Sequence, residues 1–128
     1  MRKQILIVDD ELSIHKILEF ILAADYDLVI KENGAEALTW LENGSNPDLI
    51  ISDLEMPHID GESFIRNLKI SDLFRDTPVI LISGADNLES KVEQMTYRAD
   101  CFLKKPFNPE ELKSCITASL LNYDLSNR

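Results

Sequence analysis

The chain has 128 residues, 45% of them hydrophobic and 28% charged, which suits one compact domain with a real core. Lys and Arg total 13 against 23 Asp and Glu, a formal net charge of −10, and that balance argues against the cationic footprint that direct nucleic-acid binding requires. No apolar run approaches the length of a bilayer span, and Met1-Arg2-Lys3-Gln4 leads into a short apolar stretch that meets two acids instead of continuing as a signal sequence. The expectation is a cytosolic protein with no membrane contact.

Short apolar runs alternate with stretches of helical periodicity. Ile5-Leu6-Ile7-Val8 forms a first strand and runs directly into Asp9-Asp10. Ile14, Ile17, Leu18, Ile21 and Leu22 then follow the i, i+3, i+4, i+7, i+8 spacing of a helix face pressed on a sheet, with His15 off that face and expected to be exposed. Leu28-Val29-Ile30 is the second strand. Asn33 with Glu36 reads as a capping box opening a short helix built on Ala35, Ala37, Leu38 and Leu41, which Gly44-Ser45-Asn46-Pro47 stops. Leu49-Ile50-Ile51 is the third strand and leads to Asp53. Asp60 with Gly61 opens a helix carrying Phe64, Ile65 and Leu68.

Val79-Ile80-Leu81-Ile82 is the fourth strand and ends in Ser83-Gly84. Asp86 with Glu89 resembles a second capping box, before a weaker helix on Leu88, Val92 and Met95. The brief Phe102-Leu103 strand runs into Lys104-Lys105-Pro106. Asn108-Pro109-Glu110-Glu111 supplies a cap, a proline at the first helical position and acids at the positive dipole end. Leu112, Cys115, Ile116 and Leu120 mark the inner face of that last helix. The domain is expected over 1–122, with 123–128 a frayed polar tail. Cys101 and Cys115 lie in no metal-ligand or redox spacing and read as small near-core hydrophobes.

The strands are short, β-branched and nearly continuous in hydrophobicity, as in a parallel sheet covered on both faces. Five βα units in series imply such a sheet, because each right-handed crossover must cover it. Ligands then bind at the carboxyl ends of the strands. Asp9, Asp10, Asp53, Ser83 and Lys105 all fall there. Converging carboxylates need a cation among them, and an open all-oxygen site suits magnesium better than zinc. A lysine and a hydroxyl at the same edge suit phosphoryl oxygens, so the set amounts to an aspartyl phosphoryl-transfer site. Each residue also has a plainer role, since Asp10 or Asp53 can cap a turn and Lys105 can be a solvated loop charge. Asp48 lies at the wrong end of the sheet, and the Lys104 side chain should point to the opposite face from that of Lys105.

Across nearly its whole length the chain resembles the receiver domains of response regulators. The resemblance rests on Ile5-Leu6-Ile7-Val8-Asp9-Asp10-Glu11, Asp53-Leu54-Glu55-Met56-Pro57 with Gly61, Leu81-Ile82-Ser83-Gly84 and Phe102-Leu103-Lys104-Lys105-Pro106-Phe107. It implies an α/β, flavodoxin-like, doubly wound sheet of order 2-1-3-4-5 with five helices. Asp53 would be the phosphoacceptor. Asp10, Asp53 and the backbone carbonyl of Glu55 would ligate Mg2+, for which Mn2+ can substitute, and Asp9 would act largely through water. Ser83 would move onto the phosphoryl group and Lys105 would pair with it. Phe102 stands at the family's aromatic switch position, and reads equally as a packed core aromatic. The Lys105-Pro106 bond would be cis.

The resemblance implies a regulatory phosphoacceptor, not an enzyme acting on other substrates. Its partner would be a histidine kinase or a histidine phosphotransfer protein, with output by docking or homodimerisation. Lys91, Gln94, Met95, Arg98 and Lys104 would contribute to the readout surface. Two departures stand out: Arg98-Ala99-Asp100 replaces the usual Gly-Ala-Asp, and Gly84 replaces the commoner alanine. A haloacid-dehalogenase-type phosphatase would need a larger chain with a cap, and a flavodoxin would need a phosphate loop where Asp9-Asp10-Glu11 stands.

Overall fold

The computed structural model describes residues 2–97 and 99–126. Five strands alternate with five helices: β1 (Gln4–Val8), α1 (Leu12–Leu22), β2 (Asp27–Lys31), α2 (Gly34–Glu42), β3 (Leu49–Asp53), α3 (Gly61–Lys69), β4 (Val79–Ser83), α4 (Leu88–Glu93), β5 (Cys101–Lys104) and α5 (Pro109–Ser126). All four strand pairings are parallel, and the sheet order is β2-β1-β3-β4-β5. The chain reverses its direction of winding at β1, so the carboxyl ends of β1 and β3 flank the switch point where such sheets place their ligands.

Alternation along the strands divides the core in two. Leu6, Val8, Ile50, Val79 and Leu81 face the layer of α2, α3 and α4, where Phe64 is fully buried. Ile5, Ile7, Leu49, Ile51, Ile80 and Ile82 face α1 and α5. Because both faces are covered, every residue of β3 and β4 is buried and the apolar runs are unbroken in sequence. No helix among the described residues is long and apolar enough to cross a membrane.

Local signals account for most element ends. The Asn33 side chain accepts from the Glu36 amide at 2.9 Å, Asp60 from the Ser63 amide at 2.8 Å, and Asn108 from the Glu110 amide at 2.7 Å. The box expected at Asp86 and Glu89 does not form: α4 starts one residue later, with Asn87 at the cap position and no side-chain cap bond. Of the frayed tail expected over 123–128, residues 127 and 128 lie outside the described residues. The last helix continues to Ser126, where Lys3 pairs with Asp124 at 3.7 Å and Tyr123 is half-buried.

The inner face of α1 is also turned from its expected setting. Ile14, His15, Leu18 and Leu22 are buried, while Ile17 is 46% exposed. His15 takes the inward place because its ring finds a polar partner there, described below. Cys101 and Cys115 are half-buried as expected, but they are bonded to each other and tie β5 to α5 across a Cα separation of 6.2 Å. Nothing in their spacing announced that, since the pairing depends on the tertiary docking of α5 on β5.

Candidate functional site

At the carboxyl edge of the sheet, parallel register sets the functional side chains side by side. Val8 pairs with Ser52, Asp53 with Ile82, and Ser83 with Lys104. The residues that follow β1 and end β3 are therefore neighbours. Asp9 is wholly buried, Asp53 is 4% exposed and Asp10 is exposed. One carboxylate oxygen from each of the three lies within 4.8 Å of the others.

Backbone amides shape this cluster. The Asp9 amide extends the β1–β2 pairing by donating to the Lys31 carbonyl at 3.1 Å. Asp9 Oδ1 then accepts from the Glu11 amide at 2.9 Å, and Asp53 Oδ1 from the Glu55 amide at 3.3 Å. The chain after Asp53 folds back tightly, with the Gly61 amide donating to the Leu54 carbonyl at 2.7 Å. A Cβ at Gly61 would fall 2.4 Å from the Asp53 carbonyl oxygen and 2.6 Å from Leu54 Cα, so only glycine permits this approach.

Lys105 enters from the β5 side. Its amide donates to the Ser83 carbonyl at 2.8 Å, and the bond to Pro106 is cis. The Nζ stands 2.9 Å from Asp9 Oδ2, 3.0 Å from Glu11 Oε1 and 3.3 Å from Asp53 Oδ2. Lys104 is exposed, and only Lys105 of the two reaches the acids. Ser83 is wholly buried, with its Oγ accepting from the Ala85 amide at 3.1 Å.

Charge and burial compete here. Burial, then repulsion from Asp9, pushes the Asp53 carboxyl from the usual 3.8 up to about 6, although Lys105 and the Glu55 amide pull the other way. For Lys105, burial alone would favour the neutral amine. Its hydrogen bonds to Asp9 and Glu11, and the charge on Asp53, outweigh burial and hold it firmly protonated.

A cleft of about 550 Å³ opens above the acids, with Asp10, Asp53, Ser83, Gly84, Lys91 and Lys105 among its walls. Gly84 leaves that wall open, since a Cβ there would meet no atom within 4 Å. The donor set fits a hard divalent cation, because the three ligand atoms gathered within 4.8 Å are all carboxylate oxygens.

Of the expected site residues, Asp9, Asp10, Asp53, Ser83 and Lys105 converge. The Glu55 side chain turns outward to Lys91 at 3.5 Å, leaving its backbone as the part nearest the acids. Phe102 is 40% exposed beside Leu81 on β5 and is not part of the cleft wall. Arg98 lies outside the described residues. Three participants were not foreseen: Glu11 as a partner of Lys105, Lys91 as a cleft wall, and His15, whose Nε2 meets the Asp9 carbonyl. Adjacency to the acid pair was the only signal for Glu11, and Lys91 had none.

Residues 5–117 match the family model described as "Response regulator receiver domain". The chain is 32% identical over 124 residues to a probable transcriptional regulator ycf27 of Porphyridium aerugineum, covering 96% of this chain and 50% of that protein. It is 33% identical over 127 residues to the alkaline phosphatase synthesis transcriptional regulatory protein PhoP of Bacillus subtilis, covering 98% of this chain and 52% of that one. It thus spans about half the length of these relatives. The crystal structure of a putative response regulator from Chloroflexus aurantiacus superposes with a TM-score of 0.86 at 28% identity, covering 94% of this chain and 99% of that one.

Proposed function

The chain belongs to the response regulator receiver domain family of two-component systems, and on that premise we propose that it is a phosphorylation switch with Asp53 as acceptor. The observation carrying this reading is the meeting of Asp9, Asp10 and Asp53 within 4.8 Å under one lysine, at the mouth of an open cleft. Mg2+, or Mn2+ in its place, would be held by Asp10, Asp53 and the Glu55 carbonyl, with Asp9 acting largely through water. Bound there, it supplies positive charge against the incoming phosphoryl oxygens.

Asp53 has a carboxyl near 6, so it is mostly ionised at neutral pH, as a nucleophile must be. One of its oxygens attacks the phosphorus of a phosphohistidine in line. The P–N bond breaks, an acyl phosphate forms, and the imidazole leaves with the electron pair. Lys105 pairs with the new phosphoryl oxygens and Ser83 turns to hydrogen-bond them. Those two movements bias a pre-existing conformational equilibrium. The domain promotes only its own phosphorylation and dephosphorylation. Its partner is a histidine kinase or a histidine phosphotransfer protein in the cytosol. The α4–β5–α5 face, with Lys91, Gln94, Met95 and Lys104, carries the output by docking or homodimerisation, and Phe102 serves as its aromatic switch.

The test is intact-mass measurement after incubation with acetyl phosphate, with and without Mg2+, on the wild type and Asp53→Asn. One added phosphoryl group that needs Mg2+ and vanishes in the variant is expected. If no adduct forms and beryllofluoride does not bind either, the switch reading fails.

A further inference from the structure

We propose that His15 is a positioning residue for the acid pair: its Nε2–H holds the Asp9 carbonyl and thereby sets the bearing of both Asp9 and Asp10 toward the cation site. The inference rests on the Mg2+ reading above and deepens it. His15 is 7% exposed on the inner face of α1, among Ile14, Leu18 and Leu22. A carbonyl oxygen can only accept, so the ring must carry its proton on Nε2 to make this contact. An aliphatic side chain would satisfy the apolar surroundings as well, so packing alone does not call for histidine here.

The accepted carbonyl belongs to the planar peptide unit that joins Asp9 to Asp10. Fixing that plane fixes ψ of Asp9 and φ of Asp10, the two torsions that decide where the side chains diverge. Asp9 is also tied by two backbone-amide hydrogen bonds. Its amide is held by the Lys31 carbonyl at 3.1 Å, and its Oδ1 by the Glu11 amide at 2.9 Å. Asp10 is exposed, and no described residue bonds its carboxylate. Its direction toward Asp53 is set by the backbone, and His15 grips the backbone at the one unit shared by both acids. Groups that orient metal ligands in this indirect way typically change metal affinity by 10–100-fold when lost.

The test is a Mg2+ titration followed in 1H–15N amide spectra at a fixed pH of about 7.5. It compares the wild type with His15→Leu, His15→Gln and Ile14→Val. Glutamine carries an N–H near the position of Nε2, leucine fills space only, and Ile14→Val is a core loss on the same face. The leucine variant should bind Mg2+ about tenfold more weakly, glutamine should restore affinity to within about threefold, and valine should leave it unchanged. If leucine does not fold, His15→Asn replaces it, because its amide is one methylene too short to reach. Equal affinity in the leucine (or asparagine) variant, no rescue by glutamine, or an equal loss in Ile14→Val would overturn the assignment. A wild type that binds no Mg2+ would instead end the functional reading itself, and this inference with it.

Discussion

Replacing Asp53 with asparagine should stabilise the metal-free protein, even though it removes one member of an ion-paired cluster. Asp53 is 4% exposed, and its carboxyl is raised from 3.8 to about 6 by burial first and Asp9 second. A raised carboxyl favours the protonated form in the folded state. The stability it contributes is therefore fully present below the unfolded value of 3.8 and is lost as pH rises through about 6. Above that, holding Asp53 ionised costs about 3 kcal/mol, at 1.36 kcal/mol for each of roughly two pH units. Asparagine is a neutral isostere that escapes this cost, and Lys105 keeps Asp9 and Glu11 as partners.

The assay is urea unfolding in EDTA at pH 7.5 and pH 4. At pH 7.5 the asparagine variant should gain up to about 3 kcal/mol, or about 10 °C in Tm for a domain of this size. At pH 4 the gap should largely close, because Asp53 is then protonated in the native wild type. Saturating Mg2+ should also narrow the gap at pH 7.5, since a ligand of the native state alone adds stability to the wild type. An asparagine variant no more stable than wild type at pH 7.5, or a gain of the same size at pH 4, would refute the reasoning.

Gly61→Ala should destabilise by about 3 kcal/mol in thermal unfolding, because the new methyl would meet backbone and not a movable side chain. Gly84→Ala has open space around it and no positive φ, so it should fold normally and gain about 0.5 kcal/mol by restricting the unfolded chain; a loss above about 1 kcal/mol would show an unrecognised constraint. Lys105→Met removes the nearest positive charge from Asp53, and carboxyl 13C titration should then place Asp53 above its wild-type value of about 6. Asp100→Ala removes the side-chain acceptor of the Val79 amide, held at 2.7 Å, and should cost about 2 kcal/mol in urea unfolding, as expected for a donor left unmade beside a fully buried residue.

Strand content and the edge carrying the site were legible because parallel sheets covered on both faces leave a one-dimensional mark. Ile5 to Val8 and Val79 to Ile82 are each fully buried, so hydrophobicity is unbroken and then stops at the first residue to face solvent or ligand. The residues of the candidate site sit at those stops. Asp9, Asp53, Ser83 and Lys105 are all the first or second polar residue at or just beyond the end of an apolar run, and right-handed βα crossovers bring such positions to one edge. Lys105 could be separated from Lys104 for the same reason, since successive residues of a strand face opposite ways.

What failed to show in the sequence depends on rotation and on partners distant in the chain. A helical pattern fixes the apolar stripe only to within one position on either side, and α1 offers two candidate stripes differing by the choice of Ile17 or His15. Hydrophobicity favours Ile17. The structure exposes Ile17 and buries His15 because a polar ring adjoining a carbonyl gains a hydrogen bond that isoleucine cannot make. The reversal carries information: where a polar residue displaces an apolar one from an inner face, the group it bonds deserves the first look. On α1 that group is the peptide between the two acids of the site. The Cys101–Cys115 bond was hidden differently, since helix α5 brings Cys115 over β5 only once docked on the sheet. Spacing along the chain holds no trace of either contact, because both are fixed by how a helix turns and settles on strands far from it in sequence.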